Sequence, residues 1–91
     1  MERPVLIVSN DANNRAATTV TVLLITSNVA KVYPFEILPS SKESGLPKVS
    51  KAQAQQIRTI AKERLRGSAL GRLSAVLLDK TADAIRLRLD L

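Results

Sequence analysis

Residues 22–37, VLLITSNVAKVYPFEI, open as a stretch fit for a protein interior and then turn polar. Val22, Leu23, Leu24 and Ile25 suit a buried strand, because β-branched and other bulky apolar side chains pack well on a pleated surface. The run stops at Thr26, Ser27 and Asn28, with Lys31 close behind. Hydroxyls and amides suit a turn. They also suit the rim of a site to which a buried strand delivers small polar groups. The chain then resumes as KVYPFEIL, residues 31–38, where Tyr33, Phe35 and Ile37 alternate with Pro34 and Glu36 in the period of a strand. Pro34 has no N–H, which assigns that strand to an edge or a bulge.

Working outward, RPVLIVSND at residues 3–11 predicts a short buried strand over 5–8 that ends in turn residues. NDANNRAAT, residues 10–18, reads as a polar loop with room for one helical turn, and TVTVLLIT, residues 19–26, as the next strand. Downstream, PSSKESGLP, residues 39–47, is rich in Ser, Pro and Gly and reads as a loop. KVSKAQAQQIRTI, residues 48–60, divides: its Ala and Gln residues favour a helix first, and the β-branched residues favour a strand by residue 56. AKERLRG, residues 61–67, predicts a short helix or turn. The last element is a helix from an N-cap at Ser74 to Leu89, with Leu78, Ala82, Ile85 and Leu89 spaced along one apolar face and Arg86 paired to Asp90. Short strands closed by a C-terminal helix make a small α+β domain.

Composition narrows the chemistry. At 91 residues and 45 % hydrophobic, the chain makes one domain or part of one, with a core built almost without aromatics. No apolar run reaches the roughly 18 residues of a membrane span. The first residues, Met1 to Pro4, do not read as a secretory signal. The absence of Cys points to a cytoplasmic protein and, with the absence of His, argues against a zinc site. The same absences remove the Ser-His-Asp triad and the thiol nucleophile. None of the three glycines opens a phosphate-binding loop. A net charge of +6 suits a polyanionic partner, either nucleic acid or an acidic protein.

One chemistry survives. RNA carries its own nucleophile, the 2′-OH, so strand cleavage needs only orientation of that hydroxyl and stabilisation of charge on the phosphoryl oxygens. An Arg fork does the second task well, and Thr or Ser adds a hydrogen bond. Arg3, before the first strand, and Thr26, at the end of the second, are candidates of the right kind.

The segments RPVLIVSND (Arg3 to Asp11), Thr26-Ser27, YPFEI, Gly45-Leu46, QIRTI (Gln56 to Ile60), the Lys-x-Arg-Leu of Lys62 to Leu65 and GRLS (Gly71 to Ser74) resemble, in order and wording, the MazF/PemK-like ribonuclease toxins of bacterial toxin–antitoxin systems. The resemblance covers residues 3–91. It implies a small SH3-like β-barrel of the CcdB/PemK type with a C-terminal α-helix, acting as a homodimer. It also implies an endoribonuclease that cuts single-stranded mRNA at short sequences without metal or other cofactor, leaving a 2′,3′-cyclic phosphate and a 5′-hydroxyl. A cognate, acidic MazE-like antitoxin would cover the RNA groove in the cytoplasm.

Residue by residue, the family's catalytic Arg matches Arg3, where it would stabilise the phosphoryl charge and exchange a proton. The catalytic Thr matches Thr26, and Gln56 matches a Gln of the groove. Ser27, Lys31 and Arg58 join the RNA-binding set on position and charge. Family members normally carry an earlier strand and a Gly-rich loop before the Arg-Pro, so the resemblance implies a single domain over residues 1–91 that is shortened at its N terminus. The alternatives are a catalytically silent member that only dimerises or binds RNA or antitoxin, and a gyrase-poisoning barrel resembling CcdB, whose terminal aromatic the ending IRLRLDL lacks.

Overall fold

The computed structural model describes residues 3–91, so the expectations that fall on Met1 and Glu2 lie outside it. Strand β1 (Val5–Ile7) leads into helix α1 (Asp11–Ala16), then β2 (Thr19–Thr26), β3 (Glu36–Ile37), a single turn α2 (Ser41–Ser44), β4 (Lys51–Ala61), a 3₁₀ turn at Lys62–Arg64 and the terminal helix α3 (Ala75–Leu89). The strands form one antiparallel sheet in the order β1-β2-β4-β3. The sheet curls into a half-barrel with α3 against it, an α+β architecture.

Pattern and register explain this arrangement. Leu23 and Ile25 of β2 point to the helix side, where their cross-strand partners are Ile57 and Ala52. There they join Leu6, Ile37, Ala54 and the α3 residues Leu77, Ala84 and Ile85 in one core. Alternation sends Val22, Leu24 and Thr26 to the other face. Val22 is completely buried there.

β4 corrects the division read from residues 48–60: it is strand from Lys51 onward. The misleading signal has a physical source. β2 advances by one residue, Leu23 to Leu24, while its partner runs from Ile57 back to Gln53, so a bulge interrupts the ladder. The bulge shifts the phase of the pleat, and Ala54 and Ile57 both reach the core although they are three residues apart. That spacing looks helical. Pairing on two sides then overrides the helical preference of Ala and Gln.

Other expectations are also corrected. The aromatic strand is only Glu36–Ile37, and residues 31–35 approach it irregularly, with Tyr33 and Phe35 stacked at 5.3 Å between ring centroids. Pro34 just precedes this edge strand. PSSKESGLP contains the one-turn α2, started by Ser40, whose hydroxyl accepts the Glu43 N–H.

Helix α3 begins as read, with Ser74 Oγ accepting the Leu77 N–H. Its buried side, however, is Leu77, Thr81, Ala84 and Ile85, while Leu78 and Leu89 are exposed. Small residues make the better packing face because Ala84 can approach Ala52 and Ala54 closely. The Thr81 hydroxyl is satisfied internally by the Leu77 carbonyl at 2.7 Å. Arg86 pairs with Asp83 at 3.0 Å rather than with Asp90, and Asp90 takes a left-handed cap at φ 59°.

Candidate active site

β1 runs antiparallel to β2 with Val5 opposite Leu24. Continued two residues toward the N terminus, that register brings Arg3 level with Thr26. On the other side of β2, Thr26 is the cross-strand partner of Lys51. Thr26 and Lys51 are therefore cross-strand neighbours, and the chain entering β1 carries Arg3 to the same end of the sheet.

A cleft of about 400 Å³ opens at this end of the sheet. Arg3, Thr26 and Ser27 line it on one side, and Leu46, Pro47, Lys48 and Ser50 on the other. Next to Leu46, Gly45 lies against the backbone of Leu70 and Gly71. The backbones of residues 43–45 and 70–71 lie so close that a Cβ at Gly45 would collide with the Leu70 carbonyl, and one at Gly71 with the carbonyl of Glu43.

The cleft's electrostatics favour an anion: among the described residues its lining includes Arg3 and Lys48 and no carboxylate. Arg3 is exposed and has no ion pair or hydrogen bond among the described residues, which leaves its fork of donors available. Thr26 Oγ1 accepts the Asn28 N–H at 3.2 Å. That bond uses a lone pair and leaves the hydroxyl proton free to be donated into the cleft. Such a set can grip a phosphate and stabilise charge that builds on it.

The other site candidates stand apart from this cleft. Arg58 is the partner of Val22, four residues before Thr26, or about 13 Å along the same face. It donates to Gln56 Oε1 at 3.2 Å, so these two form their own group. Lys31 lies in the connection after β2, with its ammonium 5.0 Å from the Tyr33 ring centroid. A second hollow, of about 590 Å³, lies at the other end of β2 beside Arg15, Thr19 and Lys62. There the Lys62 ammonium is committed to the carbonyls of Asn14 and Ala17.

Sequence reasoning missed Lys48 and Ser50 because it placed a helix where β4 begins. With Lys51 opposite Thr26, the residues just before it must border the cleft. It also missed the buried pair Lys51–Glu36, whose 2.9 Å contact joins residues 15 positions apart. Burial alone would raise the Glu36 carboxyl. The Tyr33 N–H, the Gln55 amide and the Lys51 ammonium outweigh that and hold it below its ordinary value.

Comparison with known proteins bears on what this cleft does. Residues 1–89 match the model of a family described as PemK-like, MazF-like toxin of type II toxin–antitoxin system. A curated relative, Endoribonuclease MazF9 of Mycobacterium tuberculosis, is 48 % identical over 95 residues, covering 99 % of this chain and 80 % of its own. A solved structure of Mycobacterium tuberculosis toxin MazF-mt6 superposes with a TM-score of 0.86 at 31 % identity, covering 98 % of this chain and 87 % of that one. An endoribonuclease in complex with its cognate antitoxin, from a mycobacterial species, gives a TM-score of 0.84 at 28 % identity, with 98 % and 82 % covered.

Proposed function

Since the chain belongs to the PemK-like, MazF-like toxins of type II toxin–antitoxin systems, we propose that it is an endoribonuclease that cuts single-stranded mRNA in the cleft between Arg3 and Lys48. The observation that carries this reading is the convergence of Arg3, Thr26 and Ser27 on one cleft whose lining, among the described residues, holds no carboxylate. In the reaction, the 2′-oxygen loses its proton and attacks the adjacent phosphorus. The bond from phosphorus to the 5′-oxygen breaks, the leaving oxygen takes up a proton, and the products are a 2′,3′-cyclic phosphate and a 5′-hydroxyl. Arg3 stabilises the charge on the non-bridging oxygens, and Thr26 donates its hydroxyl proton to the same phosphate. No metal enters these steps.

The relatives also bear on partners. One is held by its cognate antitoxin, and with a net charge of +6 an acidic antitoxin segment is the complementary ligand for this chain. Self-association into a homodimer is supported by the apolar residues that α3 exposes, among them Val76, Leu78 and Leu87.

The test is RNA cutting in EDTA by the parent chain and by Arg3→Ala and Thr26→Ala, with the product ends identified. The expected result is cyclic-phosphate ends from the parent and a loss of about 100- to 1,000-fold in each variant, the scale of removing one charge-stabilising donor. A folded parent that leaves RNA intact would be the silent member of the family, and cutting that persists in Arg3→Ala would remove Arg3 from the mechanism.

A further inference from the structure

Behind the cleft lies a group of charged side chains that the proposed chemistry does not use. Lys51 stands directly across the ladder from Thr26, so both side chains rise on the same face of the sheet. Thr26 reaches the cleft, but Lys51 is only 7 % exposed, and Glu36 is 6 % exposed. Lysine and glutamate are almost never buried this far without partners. Lys51 Nζ donates to Glu36 Oε1 at 2.9 Å and to the Lys31 carbonyl at 2.6 Å. The same Glu36 oxygen accepts the Tyr33 N–H at 2.8 Å, and the other carboxylate oxygen accepts from Gln55 Nε2 at 2.7 Å.

Two of these bonds end on the backbone of one segment. Residues 27–35 connect β2 to β3 without regular structure, and such connections are ordinarily the mobile parts of a domain. Here a carbonyl at 31 and an N–H at 33 are held by one ion pair, whose Lys51 is fixed in β4 opposite Thr26 and whose Glu36 stands in β3. At the start of the connection, Asn28 donates its N–H to the Thr26 hydroxyl oxygen, so the direction of that hydroxyl follows the path of the segment. Charge balance alone requires none of these backbone bonds. A neutral pair of similar volume can keep a buried site as stable.

We infer that Lys51 and Glu36 are positioning residues: together they grip the Lys31 carbonyl and the Tyr33 N–H, fix the 27–35 connection, and so hold the Thr26 hydroxyl toward the phosphate. The inference rests on the reading of the cleft as the RNA-cutting site, and its test separates the two.

Lys51→Met and the double variant Lys51→Met/Glu36→Gln are compared with the parent. Folding stability, the kcat and KM of RNA cutting, and amide hydrogen exchange at Asn28 and Tyr33 without RNA are measured for each. In Lys51→Met the Lys31 carbonyl loses its donor, and Asn28 and Tyr33 exchange faster while the amides of β2 do not. The expected kcat falls about 10- to 100-fold with a smaller change in KM, the cost of an active group misplaced by roughly 1 Å. The double variant regains stability, because no charge is left unpaired, yet its kcat stays low and its connection stays loose. If cutting returns together with stability in the double variant, or if the two amides keep their protection in Lys51→Met, the pair only balances charge and the inference is overturned. Should Lys51→Met alone fail to fold, the double variant carries the comparison. If the folded parent does not cut, the cleavage reading falls, and the exchange rates alone decide whether the pair fixes the segment.

Discussion

At Thr26 a hydroxyl oxygen accepts from Asn28 while its proton remains unassigned, and this division of labour suits a group that must donate to an anion. Arg3 achieves the same readiness by having no partner among the described residues. Glu36 is the opposite case, a carboxylate saturated by donors and held below its ordinary pKa. A group with a depressed folded pKa contributes stability above its unfolded pKa and loses it as pH falls through the folded value. Glu36→Gln, which leaves Lys51 buried without its counter-charge, is expected to cost about 3–5 kcal/mol near neutral pH. The gap between parent and variant then narrows as the pH drops below the ordinary carboxylate range. Urea unfolding of both across that range checks this, and a gap that stays constant with pH would refute it.

Among the elements, β4 decides most. Its bulge curls the sheet and turns Gln55 toward Glu36, and its first residue sets Lys51 beside Thr26. The helix that covers it depends on small side chains, since Ala52, Ala54 and Ala84 are each at most 2 % exposed. Ala84→Leu has no space to fill and is expected to destabilise the fold by about 1–3 kcal/mol. Chemical denaturation measures it, and a neutral outcome would mean that α3 packs more loosely than described. Two glycines offer a second contrast. Gly45 and Gly67 both have φ near 70°, at 69° and 67°, but only Gly45 has a backbone against the place of its missing Cβ. Gly67→Ala is expected to cost about 1–2 kcal/mol for the left-handed backbone. Gly45→Ala costs more and also lowers RNA cutting, because the segment bearing Leu46 and Lys48 must move. Equal losses in the two variants would contradict this.

For the whole molecule, charge and exposed apolar surface make separate predictions. An RNA held by Arg3 and Lys48 binds more weakly as salt rises, and Arg3→Ala should reduce the slope of log affinity against log salt by about 0.7, the share of one single-strand phosphate contact. An unchanged slope would place the phosphate elsewhere. The exposed residues Val76, Leu78, Leu87 and Leu89 of α3 lead us to expect sedimentation at twice the 9.9 kDa chain mass, and a strictly monomeric chain at micromolar concentration would rule the homodimer out. Among the described residues, no helix is long and apolar enough to cross a membrane.

By itself the sequence determined the features written in local pattern. β1 and β2 follow from short apolar runs bounded by turn residues, the 3₁₀ turn from AKERLRG, and the start of α3 from the Ser74 cap. Arg3 and Thr26 came forward as site candidates because each sits at the end of such a run and matches the family's pattern, and both line one cleft. Tertiary structure alone decided the start of β4, the buried side of α3, the Lys51–Glu36 pair and the wall from Leu46 to Ser50. Each depends on contacts between residues distant in the chain: the bulge breaks the period of two that marks a strand, small alanines outcompete leucines only when another backbone lies close above them, and a lysine and a glutamate look like solvated charges until the register of the sheet encloses them together.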